Sequence, residues 1–154
     1  MNNSKGSIKV TIGVPVTKVR FLADTLRSIA RQSLPANEVI VVDNCADGDV
    51  APQVVENAPA CTRIIRRSTR MPPVENWNAL LAEATSSWFI LLSDDDYLAP
   101  NHLAELDKII QEHPEVNVAH SRLAIVDEKN IIQGHTPSAV EWESATDFLW
   151  HRIR

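Results

Sequence analysis

The chain has 154 residues, 44% of them hydrophobic and 23% charged, with a net charge of −5. That is enough for one domain with a sizeable core, and the acidic balance argues against a general nucleic-acid binder, which neutralises phosphates over a broad basic surface. The longest apolar runs, such as Trp88-Phe89-Ile90-Leu91-Leu92, fall far short of the roughly 20 residues of a membrane-spanning helix.

Short β-branched runs alternate with helical patterns almost from the start. Met1–Ser7 is polar, lacks the apolar core of a secretory signal and reads as a disordered tail, so a cytoplasmic location is expected. Ile8 to Val14 predicts a strand ending at Pro15; Leu22, Leu26 and Ile29 then recur at helical spacing until Ser33-Leu34-Pro35. Glu38 to Val42 is an almost continuous apolar strand, the kind found where both faces of a parallel sheet are covered. A weaker helix over Val50 to Ala58 and a strand over Thr62 to Arg66 follow. Asn76 to Ala84 reads as a helix whose inward stripe is Leu80, Leu81 and Ala84, and Trp88 to Leu92 as a buried strand. Pro100 opens a helix with Leu103, Leu106, Ile109 and Ile110 on its apolar face, stopped by His113-Pro114. Val116 to Val126 and Asn130 to Gln133 predict two strands joined by Asp127-Glu128-Lys129, and Ser144, with Asp147 three residues on, marks the N-cap of a last helix.

Strands separated by helices imply an α/β fold with a mainly parallel, open sheet and helices on both faces. In such sheets ligands bind beyond the carboxyl ends of the strands. Three polar segments fall there: Pro15-Val16-Thr17, Asp43-Asn44 and Asp94-Asp95-Asp96. Adjacent carboxylates repel one another, and Mg²⁺ or Mn²⁺ is typically held by one or two carboxylates plus substrate phosphates, so the pattern points to a metal-bound diphosphate. Asp and Asn are also ordinary turn and cap residues, and an acidic triplet ahead of a helix complements its dipole. Each segment alone leaves both readings open; their shared sheet edge favours the functional one.

The remaining chemistry-bearing residues read as structural. His102, His113, His120, His135 and His151 show no metal-ligand spacing on one helix face. Cys45 and Cys61 make neither a disulfide framework nor a zinc pattern and have no nearby His partner. Trp77 and Trp88 are expected in the core, whereas Trp142 and Trp150 are expected to be exposed.

The order of these segments, an N-terminal strand running into Pro15, then Glu38-Val39-Ile40-Val41-Val42-Asp43-Asn44, Glu75-Asn76-Trp77-Asn78-Ala79-Leu80 and Ser93-Asp94-Asp95-Asp96-Tyr97-Leu98, resembles the family 2 glycosyltransferases of GT-A fold over about residues 7 to 135. The resemblance implies a Rossmann-like domain over 8–135 that binds a nucleotide-sugar donor, a UDP-sugar first among the candidates, with 136–154 beginning an incomplete acceptor-side segment. It further implies that the backbone of Val14-Pro15-Val16 holds the base, that Asp43 bonds to it, that Asp94 and Asp95 face the ribose and diphosphate, and that Asp96 ligates Mn²⁺ or Mg²⁺. Asn76 and Asn78 would lie beneath the donor pocket, and Arg70, with Arg66 and Arg67 as rivals, would meet the nucleotide. The reaction implied is a metal-dependent, inverting transfer to a hydroxyl of a glycan or lipid-linked acceptor. No residue matches the family's catalytic base, so the expectation is a chain truncated at its C-terminus that binds donor and transfers sugar poorly. An incomplete sheet leaves an open edge, and self-association is expected from it. A receiver-like module that holds Mg²⁺ and forms an aspartyl phosphate is the alternative, weakened because Val126 leads to Asp127-Glu128 where that mechanism needs a strand-end lysine. With four glycines and no Gly-x-Gly-x-x-Gly, a dinucleotide-binding domain is discounted.

Overall fold

The computed structural model describes residues 6–137 together with 143, 144 and 146. The expected helix beyond Thr146, Trp142, Trp150, His151 and the tail before Gly6 lie outside the described residues. The chain divides into two compact units, Met1–Val116 and Asn117–Arg154.

The first unit runs β1 (Val10–Val16), α1 (Leu22–Ala30), β2 (Glu38–Asp43), α2 (Val50–Asn57), β3 (Thr62–Arg66), α3 (Pro73–Ala82), β4 (Trp88–Leu91) and α4 (His102–Glu112). Its four strands form one sheet in the order β3-β2-β1-β4, and every neighbouring pair is parallel. The α/β architecture and the parallel sheet are those expected.

Alternation along β1 and β2 sorts their side chains to two faces. Ile12 and Val14, level with Val39 and Val41, are fully buried on one face. On the other, Ile40 and Val42 pack with Leu80 of α3, against Ile65 and Phe89. Gly13 lies on that second face because nothing larger fits: a Cβ there would stand 2.7 Å from Phe89 Cζ and 2.9 Å from Leu80 Cδ2. The stripes Leu22, Leu26, Ile29 of α1 and Leu103, Leu106, Ile110 of α4 are buried. Gln32 ties these helices together, its side chain accepting from Leu103 N–H at 3.0 Å and donating to the Ala99 carbonyl at 2.8 Å.

Several boundaries differ from expectation. Strand β1 does not stop at Pro15 but runs to Val16, with Pro15 level with Val42. A parallel ladder alternates sides, and the Gly13 carbonyl accepts from Leu92 N–H at 2.9 Å, so position 15 would direct its N–H toward the β4 side. Pairing with β4 ends at Leu91, and a residue without N–H loses nothing there. Helix α1 ends at Ala30, three residues early, because Ser33 N–H is drawn to the Pro100 carbonyl at 2.9 Å. Helix α3 begins at Pro73 rather than Asn76: proline in the first turn has the right φ and needs no partner for an N–H. Its inward face carries Asn76 and Leu80, four residues apart, and Leu81, about 100° round the helix from Leu80, is exposed. Strand β4 is half-buried, with Leu91 exposed, rather than fully buried, since it has a single sheet neighbour among the described residues.

In the second unit the expected long strand contracts to β5 (Ala124–Val126), which pairs antiparallel with β6 (Ile132–His135). The turn between them is organised by Asp127, whose carboxylate accepts from Lys129 and Ile131 N–H at 2.9 and 3.0 Å and from Gln133 Nε2 at 2.9 Å, while Asn130 takes φ 61°. No helix among the described residues is long and apolar enough to cross a membrane.

Candidate functional site

The carboxyl edge of the sheet brings together the chain leaving β1, β2 and β4. Where β4 ends, Asp94 turns back over β1: its Oδ2 accepts from Thr17 N–H at 2.7 Å and Lys18 N–H at 2.9 Å. Both bonds join a carboxylate to backbone donors and are therefore charge-assisted. After β2, Asn44 is buried and exchanges two bonds with the backbone of Met71, accepting from its N–H at 2.8 Å and donating to its carbonyl at 3.0 Å. This pairing holds the Arg70–Pro73 segment against the sheet edge.

Between these supports opens a cleft of ≈ 540 Å³, within the few hundred to about 1,000 Å³ usual for small-molecule sites. Pro15 and Thr17 line it from β1, Ser93, Asp94 and Asp95 from the β4 exit. Asn44, the Arg70–Pro73 segment and the first turns of α3, through Asn76 and Trp77, complete the wall. The mixture suits a polar ligand: two carboxylates, Asp94 and Asp95, the cationic Arg70 and the indole of Trp77 share one lining.

The residues expected at a site separate here into two groups. Pro15, Arg70, Asp94 and Asp95 meet in the cleft. Val14 and Val16 are fully buried and stand outside the lining, on either side of Pro15. The Asp43 carboxylate is half-buried at the end of β2 and accepts from Ala46 N–H at 3.0 Å, and it stands outside the lining, as do Asn78 and Asp96. Of the three arginines considered, the cleft takes Arg70; Arg66 is exposed on β3, and Arg67 follows Asp43 by a backbone bond of 2.9 Å. Trp77, expected in the core, is 42% exposed and lines the cleft. With Asn76 and Leu80 facing the sheet four residues apart, position 77 is turned about 100° away from them.

The acidic triplet has its own electrostatic signature. The Asp96 carboxyl is pushed above the usual carboxylate range by partial burial and then by the charges of Asp95 and Asp94. Among the described residues no group of three His, Cys, Asp or Glu side chains is placed to hold a metal ion.

A family model described as glycosyl transferase family 2 matches residues 11–152. The chain belongs to that family. This family 2 chain is 29% identical over 119 residues to YwdF, an uncharacterised glycosyltransferase of Bacillus subtilis (strain 168), which covers 76% of this chain and 43% of YwdF. Its fold superposes on S. aureus TarS in complex with UDP with a TM-score of 0.62 at 23% identity, over 70% of this chain and 33% of that one. The mannosyltransferase PcManGT of Pyrobaculum calidifontis, in complex with GDP-Man and Mn²⁺, gives a TM-score of 0.56 at 19% identity, over 68% of this chain and 32% of that one. At these identities the two structures establish the shared GT-A α/β fold. This family 2 chain spans less than half the length of the relatives it matches.

Proposed function

We propose that this chain supplies the donor-binding part of a glycosyltransferase that moves a sugar from a nucleoside diphosphate to an acceptor hydroxyl with inversion. The observation that carries the reading is the cleft itself, at the sheet edge where α/β folds bind ligands, with Asp94 and Asp95 on one wall and Arg70 on another. Family membership supports the transferase chemistry and displaces the receiver-like alternative. That TarS was solved with UDP and PcManGT with GDP-Man supports a nucleotide-linked donor. We take UDP as the first nucleotide to test.

In the reaction proposed, the acceptor oxygen attacks the anomeric carbon, the bond from that carbon to the diphosphate oxygen breaks, and the acceptor proton passes to a carboxylate base. The groups gathered at this cleft act on the donor side. The Pro15–Lys18 backbone, fixed by Asp94, shapes the wall against the base, and Arg70 opposes phosphate charge.

A divalent cation fits this site only as a shared one. Asp96 follows the two lining carboxylates Asp94 and Asp95 in the chain, and their charges, second to partial burial, raise its carboxyl pKa and would be offset by a cation; Mg²⁺ and Mn²⁺ commonly take one or two carboxylates and complete their shells with substrate phosphates. When bound, the ion would supply Lewis-acid stabilisation of the departing diphosphate. Calorimetric titration of UDP into the chain, with and without Mn²⁺, tests the proposal. Binding that requires Mn²⁺ and is lost in Asp96→Asn is expected. A folded chain that binds neither UDP nor GDP under either condition would overturn it.

A further inference from the structure

Asn76 is 1% exposed, and neither its Oδ1 nor its Nδ2 has a hydrogen-bond partner among the described residues. Buried side-chain amides are nearly always satisfied, and an orphaned pair asks for an explanation. A structural role would explain it if the amide braced α3 against the sheet, as Asn44 braces Met71 with both of its polar atoms. Asn76 braces nothing with its side chain; the bond it makes is through its backbone N–H, to the Pro72 carbonyl at 3.0 Å. An apolar side chain of the same size would serve the packing better. The residue sits one helical turn before Leu80, which packs over Gly13, so it lies toward the Pro15 end of β1, and it is part of the cleft wall.

We infer that the Asn76 amide is a ligand contact, which pairs with the hydrogen-bonding edge of the nucleobase when the donor is bound. This inference rests on the donor-binding reading above. The chemistry selects a planar edge with a donor beside an acceptor, because both atoms of the Asn76 amide are unsatisfied together and lie in one plane. A base edge offers that pair. Rotating the amide toward the cleft breaks no hydrogen bond, so a ligand reaching the floor gains two bonds at little cost in protein structure. Trp77, the next residue and 42% exposed in the same wall, supplies an aromatic face beside that edge, a combination suited to planar rings.

The test compares Asn76→Leu, which keeps the volume and removes both polar atoms, with Asn76→Asp, which keeps the shape and removes the donor. Thermal unfolding and calorimetric titration with UDP, GDP and a UDP-sugar are measured on each full chain with Mn²⁺ present. The expected result is an Asn76→Leu chain whose Tm is equal to or above that of the parent, together with at least a tenfold loss of affinity for the nucleotide the parent binds. The same loss is expected in Asn76→Asp, which carries the test if the leucine variant does not fold. Nucleotide affinity within twofold of the parent in the folded variants overturns the inference and leaves the donor-binding reading standing. Loss of UDP-sugar affinity with UDP affinity retained also overturns it, by assigning the amide to the sugar. A parent chain that binds no nucleotide overturns both.

Discussion

Glu38 stands at the start of β2, at the opposite end of the sheet from the cleft, and gathers four hydrogen bonds. Its carboxylate accepts from Thr11 Oγ1 at 2.8 Å, from Thr85 N–H and Oγ1 at 3.2 and 2.9 Å, and from Arg63 Nε at 3.1 Å. Burial pushes its pKa upward, but the bonds from Thr11, Arg63 and Thr85 outweigh it and hold the carboxyl below its ordinary value of 4.5. A carboxylate whose folded pKa is depressed adds stability that is fully present above its unfolded pKa and is lost as the pH falls through the folded one. Urea midpoints measured from pH 6 downward are therefore expected to fall below about pH 4.5 in the parent. In Glu38→Gln, with a charge-assisted set reduced to neutral bonds, stability at neutral pH drops by about 1–2 kcal/mol and the acid limb flattens. An unchanged acid limb in that variant would assign acid sensitivity to other carboxylates.

At the scale of elements, packing between α3 and β1 decides what reaches the cleft. Gly13 allows Leu80 and Phe89 to approach the β1 backbone, so Gly13→Ala overpacks that contact and is expected to cost about 1–3 kcal/mol in chemical denaturation, with the helix pushed outward. The same helix shows where sequence reading works and where it stops. Periodicity was enough to find α3 and to name Leu80 as its inward residue, because apolar spacing records burial directly. Its start was misplaced by three residues, because Pro72-Pro73 reads as a breaker unless proline is allowed in the first turn. Apolar character alone also placed Leu81 and Trp77 inward, whereas Leu81 is exposed and Trp77 lines the cleft, because the buried position one turn before Leu80 is taken by a polar residue, Asn76. The acidic triplet and Asp43-Asn44 were legible as strand-end chemistry. That Asn44 spends its amide on Met71, and Asp94 one oxygen on Thr17 and Lys18, was not, since those partners are 27 and 76 or more residues away in sequence.

The molecule as a whole joins two units of unequal cohesion. Residues of β1 and β2 such as Ile12, Val14, Val39 and Val41 are fully buried in a four-stranded sheet, whereas β5 and β6 form a two-stranded ribbon with Ile125 and Ile132 exposed. Paired strands with so little burial open at low free energy. Hydrogen exchange is expected to show β1 and β2 amides protected close to the global limit, and β5 and β6 amides exchanging at least a hundredfold faster. Equal protection in both would mean that the ribbon is covered in solution.

Pro15 bears on the permanence of the cleft. The last rung between β1 and β4 is Leu92 N–H to the Gly13 carbonyl, and the next would require a hydrogen on the nitrogen of residue 15. Proline has none to give. The two strands lose that rung, and an extended segment continuing the ladder past Gly13 would find no donor at position 15. The opening at the sheet edge is thus favoured by the covalent structure of one residue, which no change of temperature or ligand turns into a donor.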